Sequence, residues 1–248
     1  MLISVKDLHE VFKVRPTQVL HVGAHLAEEE PAYRRYGWGH VTWVEAQPNL
    51  VCELKQTLPP ETNSIFLGCI WSISGKKLTL NIASNSQSSS LLDFGTHATD
   101  YPEISFISEL EVESISLNDL LPKDYKPDFL NLDIQGVELD ALRGIGNRIQ
   151  NVKWIYTEIN TVEVYNSCTL ISELDEYLKE KGFVRLITKL APNKSWGDAL
   201  YIVDGTISNA DCFKMKMRFF LRRIFCLNDR KRQIARIQTR LHKKSRKG

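Results

Sequence analysis

The strongest constraint on the fold is a repeated alternation between short β-branched runs and amphipathic stretches. This alternation is typical of a parallel β-sheet with helices on both faces. The last two runs follow each other after a short connection, which predicts an antiparallel hairpin. The predicted fold class is therefore α/β, with a mostly parallel, Rossmann-like sheet of seven strands. Strands are predicted at residues 18–23, 40–45, 63–68, 127–133, 152–158, 183–190 and 198–203, and helices at 28–36, from 48, and at 137–142 and 170–181.

The segment 75–116 interrupts this alternation. It contains a predicted strand at Lys77–Ala83, a polar loop rich in serine, and another predicted strand near Val112–Ser116. Long loops without regular structure are uncommon inside compact domains and are usually functional. We therefore expect this insertion to contribute to a binding site.

A net charge of +2 over 248 residues hides a strong asymmetry. From Phe213 onward the chain has 14 basic residues and one acid, whereas residues 1–212 have 18 basic and 29 acidic residues. We therefore divide the chain into a domain at 1–206 and a basic helical tail at 207–248. Apolar residues recur in this tail at helical spacing, at Phe213, Met217, Phe220, Leu221 and Ile224.

Three interpretations of the tail stay open at this point. A helix of this composition is typical of an anionic membrane surface. It is also compatible with packing on the domain or on a second copy in a homo-oligomer. Nucleic acid is the third partner that such a charge attracts, and we rank it below the other two.

The remaining composition excludes several classes of protein. The first residues lack a basic stretch followed by an apolar one, and no run approaches the ~18–20 apolar residues of a membrane span. We therefore expect a cytoplasmic protein, at the inner membrane face if the tail binds lipid. The five cysteines are widely spaced and form no Cys-x-x-Cys pair, so neither a disulfide framework nor a zinc site is predicted.

Polar residues stand where the predicted parallel strands end, which is where doubly wound sheets bind ligands. Gly23 follows the first strand without the further glycines of a dinucleotide fingerprint. Glu45 ends the second strand, where an acid can accept both hydroxyls of a ribose. Asp133 and Glu158 end two later strands and are predicted to converge, as acid–base groups or metal ligands would.

Four stretches carry a resemblance to a known family. They are residues 20–25 with Glu28, residues 44–48, residues 129–140, which contain Asp-Ile-Gln-Gly-Val-Glu, and residues 157–159. Together they resemble the FkbM-type family of S-adenosylmethionine-dependent O-methyltransferases over residues 17–203. The resemblance implies a class I methyltransferase fold and methyl transfer to hydroxyls of sugars or secondary metabolites.

The resemblance also implies roles for individual residues. The methionine end of the cofactor would lie along residues 23–27, and the ribose would lie on Glu45. Asp133 would face the methyl group. The sequence departs from the family pattern at His21, where an acid is common, and at Ala27, where a second glycine is usual. The implied cofactor-binding residues are Gly23, Ala24, His25, Glu45, Ala46, Cys69, Ile70 and Asp133.

The insertion resembles one branch of the family and would cover the acceptor site. Either Asp133 or His97 is predicted to act as the base that draws a proton from an alcohol. A divalent ion held by Asp133 and Glu158 is the alternative way to acidify the hydroxyl. The predicted substrate-binding residues are Asn85, Ser88, Ser89, His97, Tyr101, Glu138, Asn160 and Trp196.

These features predict an O-methyltransferase acting on a sugar or glycan hydroxyl, in surface polysaccharide biosynthesis. Methylation of a secondary metabolite is one alternative, and a non-catalytic module that retains the fold is another, because His21 and Ala27 depart from the pattern. A nicotinamide oxidoreductase would need a fuller glycine fingerprint. A nucleic-acid methyltransferase would need a base-reading motif such as Asn-Pro-Pro-Tyr after the fourth strand.

Overall fold

The computed structural model of the chain describes residues 1–224. The helices are α1 (Val5–Glu10), α2 (Glu30–Arg35), α3 (Pro48–Thr57), α4 (His97–Asp100), α5 (Leu117–Leu120), α6 (Glu138–Gly144), α7 (Ile171–Glu180) and α8 (209–224), with a 3₁₀ turn at Gly146–Asn151. The strands are β1 (Gln18–Val22), β2 (His40–Glu45), β3 (Asn63–Leu67), β4 (Cys69–Ile70), β5 (Lys77–Ala83), β6 (Phe106–Ile115), β7 (Phe129–Leu132), β8 (Trp154–Asn160), β9 (Phe183–Leu190) and β10 (Trp196–Val203).

Seven strands form the main sheet, in the order β3-β2-β1-β7-β8-β10-β9. The first five of these strands are parallel, and β10 runs antiparallel to both of its neighbours. The predicted seven-stranded sheet with an antiparallel final hairpin is confirmed. Strand order reverses between β1 and β7, where Val22 lies opposite both Val44 and Leu132. The loops that follow these strands therefore open onto one crevice, where this architecture binds ligands.

Helices cover both faces of the sheet. On one face, Leu142 of α6 and Leu178 of α7 pack on alternate residues of β1 and β7. On the other face, Leu8 of α1 and Tyr33 of α2 pack on the residues between them. A parallel strand buried on both faces has few polar positions. The polar side chains at the strand ends are therefore candidates for ligand binding or catalysis.

Several boundaries differ from the predicted ones, and three of these differences bear on the site or on the insertion. The predicted helix at 28–36 begins only at Glu30, because the residues before it form a loop in which His25 and Ala27 have positive φ. The strand predicted at 152–158 extends to Asn160. In the insertion, the strand predicted near Val112–Ser116 is the ten-residue β6, whose start is hidden in sequence because half of its side chains are exposed.

The insertion forms a small second sheet. β5 and β6 pair as an antiparallel hairpin, and the short β4 adds to β6 in parallel. The predicted strand at Lys77–Ala83 is confirmed. The polar segment between β5 and β6 returns over the crevice of the main sheet. The insertion therefore forms part of the walls of this crevice.

The first part of the predicted tail packs on the domain. Phe219 of α8 is 4% exposed, and its ring lies 5.4 Å from that of Phe12. Arg222 pairs with Glu10 at 2.9 Å and with Asp7 at 3.6 Å. The rest of the predicted tail, residues 225–248, lies outside the described residues. Within residues 1–224, no helix combines the length and apolar character needed to cross a bilayer.

Candidate active site

Two adjoining cavities open at the carboxyl ends of the parallel strands. The first, of about 580 Å³, lies between the loops after β1 and β2, β4 and the insertion. The second, of about 1220 Å³, lies between the insertion, the end of β8 and the start of β10. Four residues line both cavities: His25, Gln87, Asp133 and Gln135. A group bound in one cavity can therefore meet a group bound in the other at these residues.

Gly23 lets the first cavity form. Its φ is +84°, and a Cβ atom at this position would lie 1.8 Å from the backbone oxygen of Asp133. Only glycine tolerates both the conformation and this approach. The loop after β1 therefore lies directly against the end of β7.

Glu45 is buried in the wall of the first cavity. One carboxylate oxygen accepts the backbone N–H of His25 at 2.8 Å, and the other accepts those of Ala46 and Gln47, both at 2.9 Å. Burial raises the pKa of Glu45, and these N–H donors oppose the rise. A carboxylate has about four acceptor positions. Glu45 therefore keeps capacity to accept a ligand hydroxyl.

Some of the other predicted cofactor-binding residues line the first cavity, and others lie in the hydrophobic core. Cys69 and Ile70 line the first cavity with Ala46. Burial raises the pKa of the Cys69 thiol to about 12, so this wall is neutral. Ala24 and Ala27, predicted to lie along the cofactor, instead pack in the hydrophobic core. Neither residue lines the first cavity.

His21 is a core residue. Its ring centroid lies 4.7 Å from that of Trp43 in a tilted arrangement, and its Nδ1 lies 3.3 Å from the Tyr33 hydroxyl and 3.2 Å from the Asn131 amide. Burial lowers the pKa of His21 to about 3, so the ring is neutral. The departure from the family pattern at this position therefore lies in the core and lines neither cavity.

Polar and aromatic side chains line the second cavity. Five predicted substrate-binding residues are among them: Asn85, Ser88, His97, Tyr101 and Trp196. The indole N–H of Trp196 donates to the Tyr101 hydroxyl at 3.0 Å. Ser89 lines the first cavity instead, because its hydroxyl turns back to the Ser86 carbonyl at 2.7 Å.

Two predicted substrate-binding residues lie elsewhere. Glu138 is 0% exposed, and its carboxylate accepts the backbone N–H groups of Ile134 at 3.3 Å and Gly136 at 3.0 Å. It therefore holds the turn after β7 from beneath. Asn160 is also fully buried, because β8 extends to this residue, and it lines neither cavity. Both positions correct the prediction of substrate contact.

A glutamine joins the two carboxylates at the meeting point of the cavities. The Gln135 amide donates to Asp133 at 2.8 Å and to Glu158 at 3.1 Å. The Tyr165 hydroxyl donates to the Gln135 side-chain oxygen at 2.5 Å, and the Ser90 hydroxyl donates to the Gln135 backbone oxygen at 2.7 Å. The amide is thus fixed from both ends, and the predicted convergence of Asp133 with Glu158 is found.

Burial dominates the electrostatics of this group. Burial raises the pKa of Asp133. Burial, followed by repulsion from Asp133, Glu138 and Asp198, raises the pKa of Glu158 well above its usual range. Two carboxylates that repel each other in a poorly solvated site do not ionise together. Ionisation of one carboxylate therefore opposes ionisation of the other, and the pair can exchange a proton with a bound ligand.

Glu138 offers a direct test of this buried charge. Burial raises its pKa from 4.5 to about 7. Between these values the folded chain binds more protons than the unfolded chain, so stability falls as pH rises. Glu138→Gln keeps the acceptor oxygen and cannot ionise. We expect its free energy of unfolding to fall less than that of the wild type between pH 5.5 and pH 8, by about 1.4 kcal/mol per unit of pKa shift removed.

Denaturant unfolding at the two pH values measures this difference. Asp140→Asn, on the same helix, serves as the control and should follow the wild type. Parallel pH dependences for Glu138→Gln and the wild type would show that Glu138 does not carry the effect.

His97 stands in the wall of the second cavity. Its ring stacks on Phe94 at 4.2 Å, and Nε2 lies 3.3 Å from the Ser88 hydroxyl. Burial lowers the pKa of His97, and the charges of Asp100 and Glu103 oppose this. Nδ1 has no hydrogen-bond partner in the described part of the chain. Nδ1 therefore keeps its hydrogen-bonding capacity for a ligand.

The insertion roofs both cavities. The His25 ring bridges Glu28 and the Ser86 hydroxyl, each at 2.7 Å, and the Gln87 amide donates to Glu28 at 3.2 Å. These contacts join the loop after β1 to the loop after β5. The roof limits access of water to the place where the cavities meet.

Among the described residues, no third His, Cys, Asp or Glu side chain joins Asp133 and Glu158 in a metal-binding arrangement. No group of three or more His, Cys, Asp or Glu side chains within residues 1–224 is arranged to hold a metal ion. The shared donor between these two carboxylates is the Gln135 amide, which offers hydrogens to both. A glutamine N–H between two carboxylates favours their hydrogen bonding over cation binding.

Sequence reasoning missed three residues of the site. Gln135 lies inside the quoted Asp-Ile-Gln-Gly segment, where a polar residue before a glycine marks a turn that faces the crevice. Asp198 lines the second cavity because β10 is antiparallel, so its start lies at the same edge as the ends of the parallel strands. Tyr165 lies in an irregular loop after β8, and no sequence signal points to it.

The family of the chain follows from comparison with known proteins. The model of the FkbM methyltransferase domain matches residues 21–185, which is more than half of the chain. The chain therefore belongs to this family, as the resemblance of its motifs implied. It is a methyltransferase with the class I α/β fold, and S-adenosylmethionine is its cofactor.

Several solved structures are similar at low identity. A putative RNA methyltransferase from Pyrococcus horikoshii is 10% identical, with 80% of each chain covered and a TM-score of 0.45. Magnesium protoporphyrin IX methyltransferase from Synechocystis PCC 6803 is 10% identical, with 80% of this chain and 79% of that chain covered and a TM-score of 0.47. An uncharacterized protein from Listeria monocytogenes is 9% identical, with 84% and 71% covered and a TM-score of 0.49. No curated protein matches the sequence.

Proposed function

We propose that the chain is an O-methyltransferase that acts on a hydroxyl of a sugar or glycan, in surface polysaccharide biosynthesis. One observation carries the proposal. The cavity that fits the cofactor meets a second, polar cavity at Asp133 and Gln135. A hydroxyl bound in the second cavity at this point lies beside a carboxylate pair that can accept its proton.

The lining of the second cavity supports a polyol as the acceptor. Asn85, Ser88 and Gln135 offer amide and hydroxyl groups that both donate and accept hydrogen bonds. Glu158 and Asp198 accept hydrogen bonds from hydroxyls, and the Trp196 ring offers an apolar surface to a sugar face. Small-molecule sites combine apolar walls with a few placed polar groups in this way.

The first cavity fits S-adenosylmethionine. Glu45 would accept the ribose hydroxyls, Cys69 and Ile70 would lie along the adenine, and the Gly23 turn would pass close to the methionine end. Gly23 gives the backbone approach that a side chain at this position would block. When bound, the cofactor supplies an electrophilic methyl group on a sulfonium.

The chain's own residues would prepare the acceptor. The carboxylate pair of Asp133 and Glu158 takes the proton from the acceptor hydroxyl, and Gln135 keeps their oxygens in place. His97 is the second candidate base. A positioned base contributes about 10²–10⁴-fold to such a reaction, and positioning with exclusion of water contributes most of the rest. The roof formed by the insertion serves this exclusion.

The test is transfer of a labelled methyl group from S-adenosylmethionine to a panel of acceptors. The panel contains free and lipid-linked sugars, the matching deoxy sugars, a catechol and an amine. We expect label on a sugar oxygen and its loss when the methylated hydroxyl is replaced by hydrogen. Label on the catechol or the amine alone would contradict the sugar proposal, and tight cofactor binding without transfer to any acceptor would favour a non-catalytic module.

A further inference from the structure

The helix α8 has two apolar faces, and only one of them is used within the domain. Its inner face carries Phe219, which packs on Phe12, and Arg222, which pairs with Asp7 and Glu10. Met215 and Cys212 also pack on this core. These contacts hold the helix on α1 and fix its orientation relative to the domain.

The opposite face is a stripe of large apolar side chains in solvent. At about 100° per residue its members fall on an arc of roughly 100°, as on an interfacial helix. Phe213 is 65% exposed and Phe220 is 61% exposed. Two such exposed phenylalanines on one face of a helix are rare on a surface that binds no partner. The apolar stripe consists of Phe213, Met217, Phe220, Leu221 and Ile224.

Basic residues border the apolar stripe on both sides. Lys214 and Arg218 follow one edge, and Lys216 and Arg223 follow the other. The sequence adds nine more basic residues and one acid after residue 224. Residues 1–212 carry an excess of 11 acidic residues. An anionic surface would therefore attract the helix and repel the rest of the domain, which orients the protein.

We propose that α8 docks on an anionic lipid bilayer, with the apolar stripe in the acyl region and its basic borders at the headgroups. Large apolar side chains between rows of lysine and arginine are the composition of helices that lie in the plane of such an interface. The inner face stays on the domain, so binding requires no unfolding of α8. This inference concerns membrane attachment and does not rest on the proposed acceptor.

The borders of the stripe argue against two other partners. A second copy packed stripe to stripe would bring the basic borders of two helices together, which like charge disfavours. Nucleic acid binds through its phosphates, and the aliphatic members of the stripe, Met217, Leu221 and Ile224, give its bases no stacking surface. A bilayer with an apolar interior and anionic headgroups matches both the apolar stripe and its basic borders.

Co-flotation of the full chain with vesicles tests the proposal. The vesicles contain either phosphatidylcholine alone or phosphatidylcholine with about 30% phosphatidylglycerol, at physiological salt. We expect binding to the anionic vesicles and at least ~10-fold weaker partitioning of Phe213→Ser/Phe220→Ser, because two side chains lose apolar burial. The matched control is Ile107→Ser/Val184→Ser, which removes two exposed apolar side chains elsewhere and should bind like the wild type.

Three outcomes would overturn the proposal. The first is equal partitioning of the stripe variant and the wild type, which would assign binding to residues outside the apolar stripe. The second is equal binding of the wild type to neutral and anionic vesicles. The third is a wild-type dimer in light scattering that the stripe variant turns into a monomer, which would assign the apolar stripe to a second copy. A melting temperature equal to that of the wild type confirms that the stripe variant is folded.

Discussion

Asp133→Asn is expected to lower kcat by about 10²–10⁴-fold, the range that a positioned base supplies. Asparagine keeps the shape of the side chain and an oxygen that can accept the Gln135 amide, but it cannot take a proton at neutral pH. The loss should therefore fall on the chemical step. Binding of S-adenosylhomocysteine, followed by calorimetry, should change far less than kcat.

The pH dependence gives a second readout of the same substitution. Burial raises the pKa of Asp133, and burial with repulsion from Asp133 raises that of Glu158. The pair accepts a proton only after it has lost one, so the wild-type rate should increase as pH rises through the raised pKa of the pair. Asp133→Asn should remove this rise.

Asp140→Asn is the matched control for Asp133→Asn, because it neutralises a carboxylate close in sequence on α6 that lines neither cavity. Its kcat should equal that of the wild type. An unchanged kcat in Asp133→Asn, together with a large loss in His97→Asn, would assign the base to His97. A loss of cofactor binding equal to the loss of kcat would instead assign Asp133 to cofactor binding.

Much of the site follows from sequence because parallel strands end at one edge. Glu45 ends β2, Asp133 directly follows β7 and Glu158 lies near the end of β8, so the topology brings them to one crevice. This argument needs only the strand assignments and not the details of any loop. It succeeds where the chain is regular.

The same argument fails where a side chain points inward or a loop decides the contact. Glu138 and Asn160 have side chains of the kind that bind ligands, yet neither lines either cavity. Glu138 supports the turn after β7, and Asn160 is a buried residue of β8, which is longer than predicted. Sequence does not tell an inward carboxylate from an outward one, because a single residue of register reverses the side. Tyr165 reaches Gln135 from an irregular loop, where no periodicity exists to read.

Glu45→Ala is expected to weaken S-adenosylhomocysteine binding by roughly 10–100-fold. Hydrogen bonds to a charged group are worth about 1.5–3 kcal/mol each, and about 1.4 kcal/mol corresponds to a factor of ten in affinity. Three of the about four acceptor positions of Glu45 already hold backbone N–H groups, so the variant loses one such bond to the ribose in the proposed site. Glu45→Gln keeps one acceptor oxygen, so its affinity should lie between those of Glu45→Ala and the wild type.

Glu45 also accepts three backbone N–H groups, so its loss weakens the apo fold as well as the cofactor site. Denaturant unfolding without cofactor separates the two effects. The decisive measurement is the calorimetric affinity of the folded variant, with Glu53→Ala, an exposed acid on α3, as the control that should bind like the wild type. An affinity in Glu45→Ala equal to that of Glu53→Ala would place the ribose elsewhere. Preferred binding of NAD by the wild type would overturn the assignment of the cavity to S-adenosylmethionine.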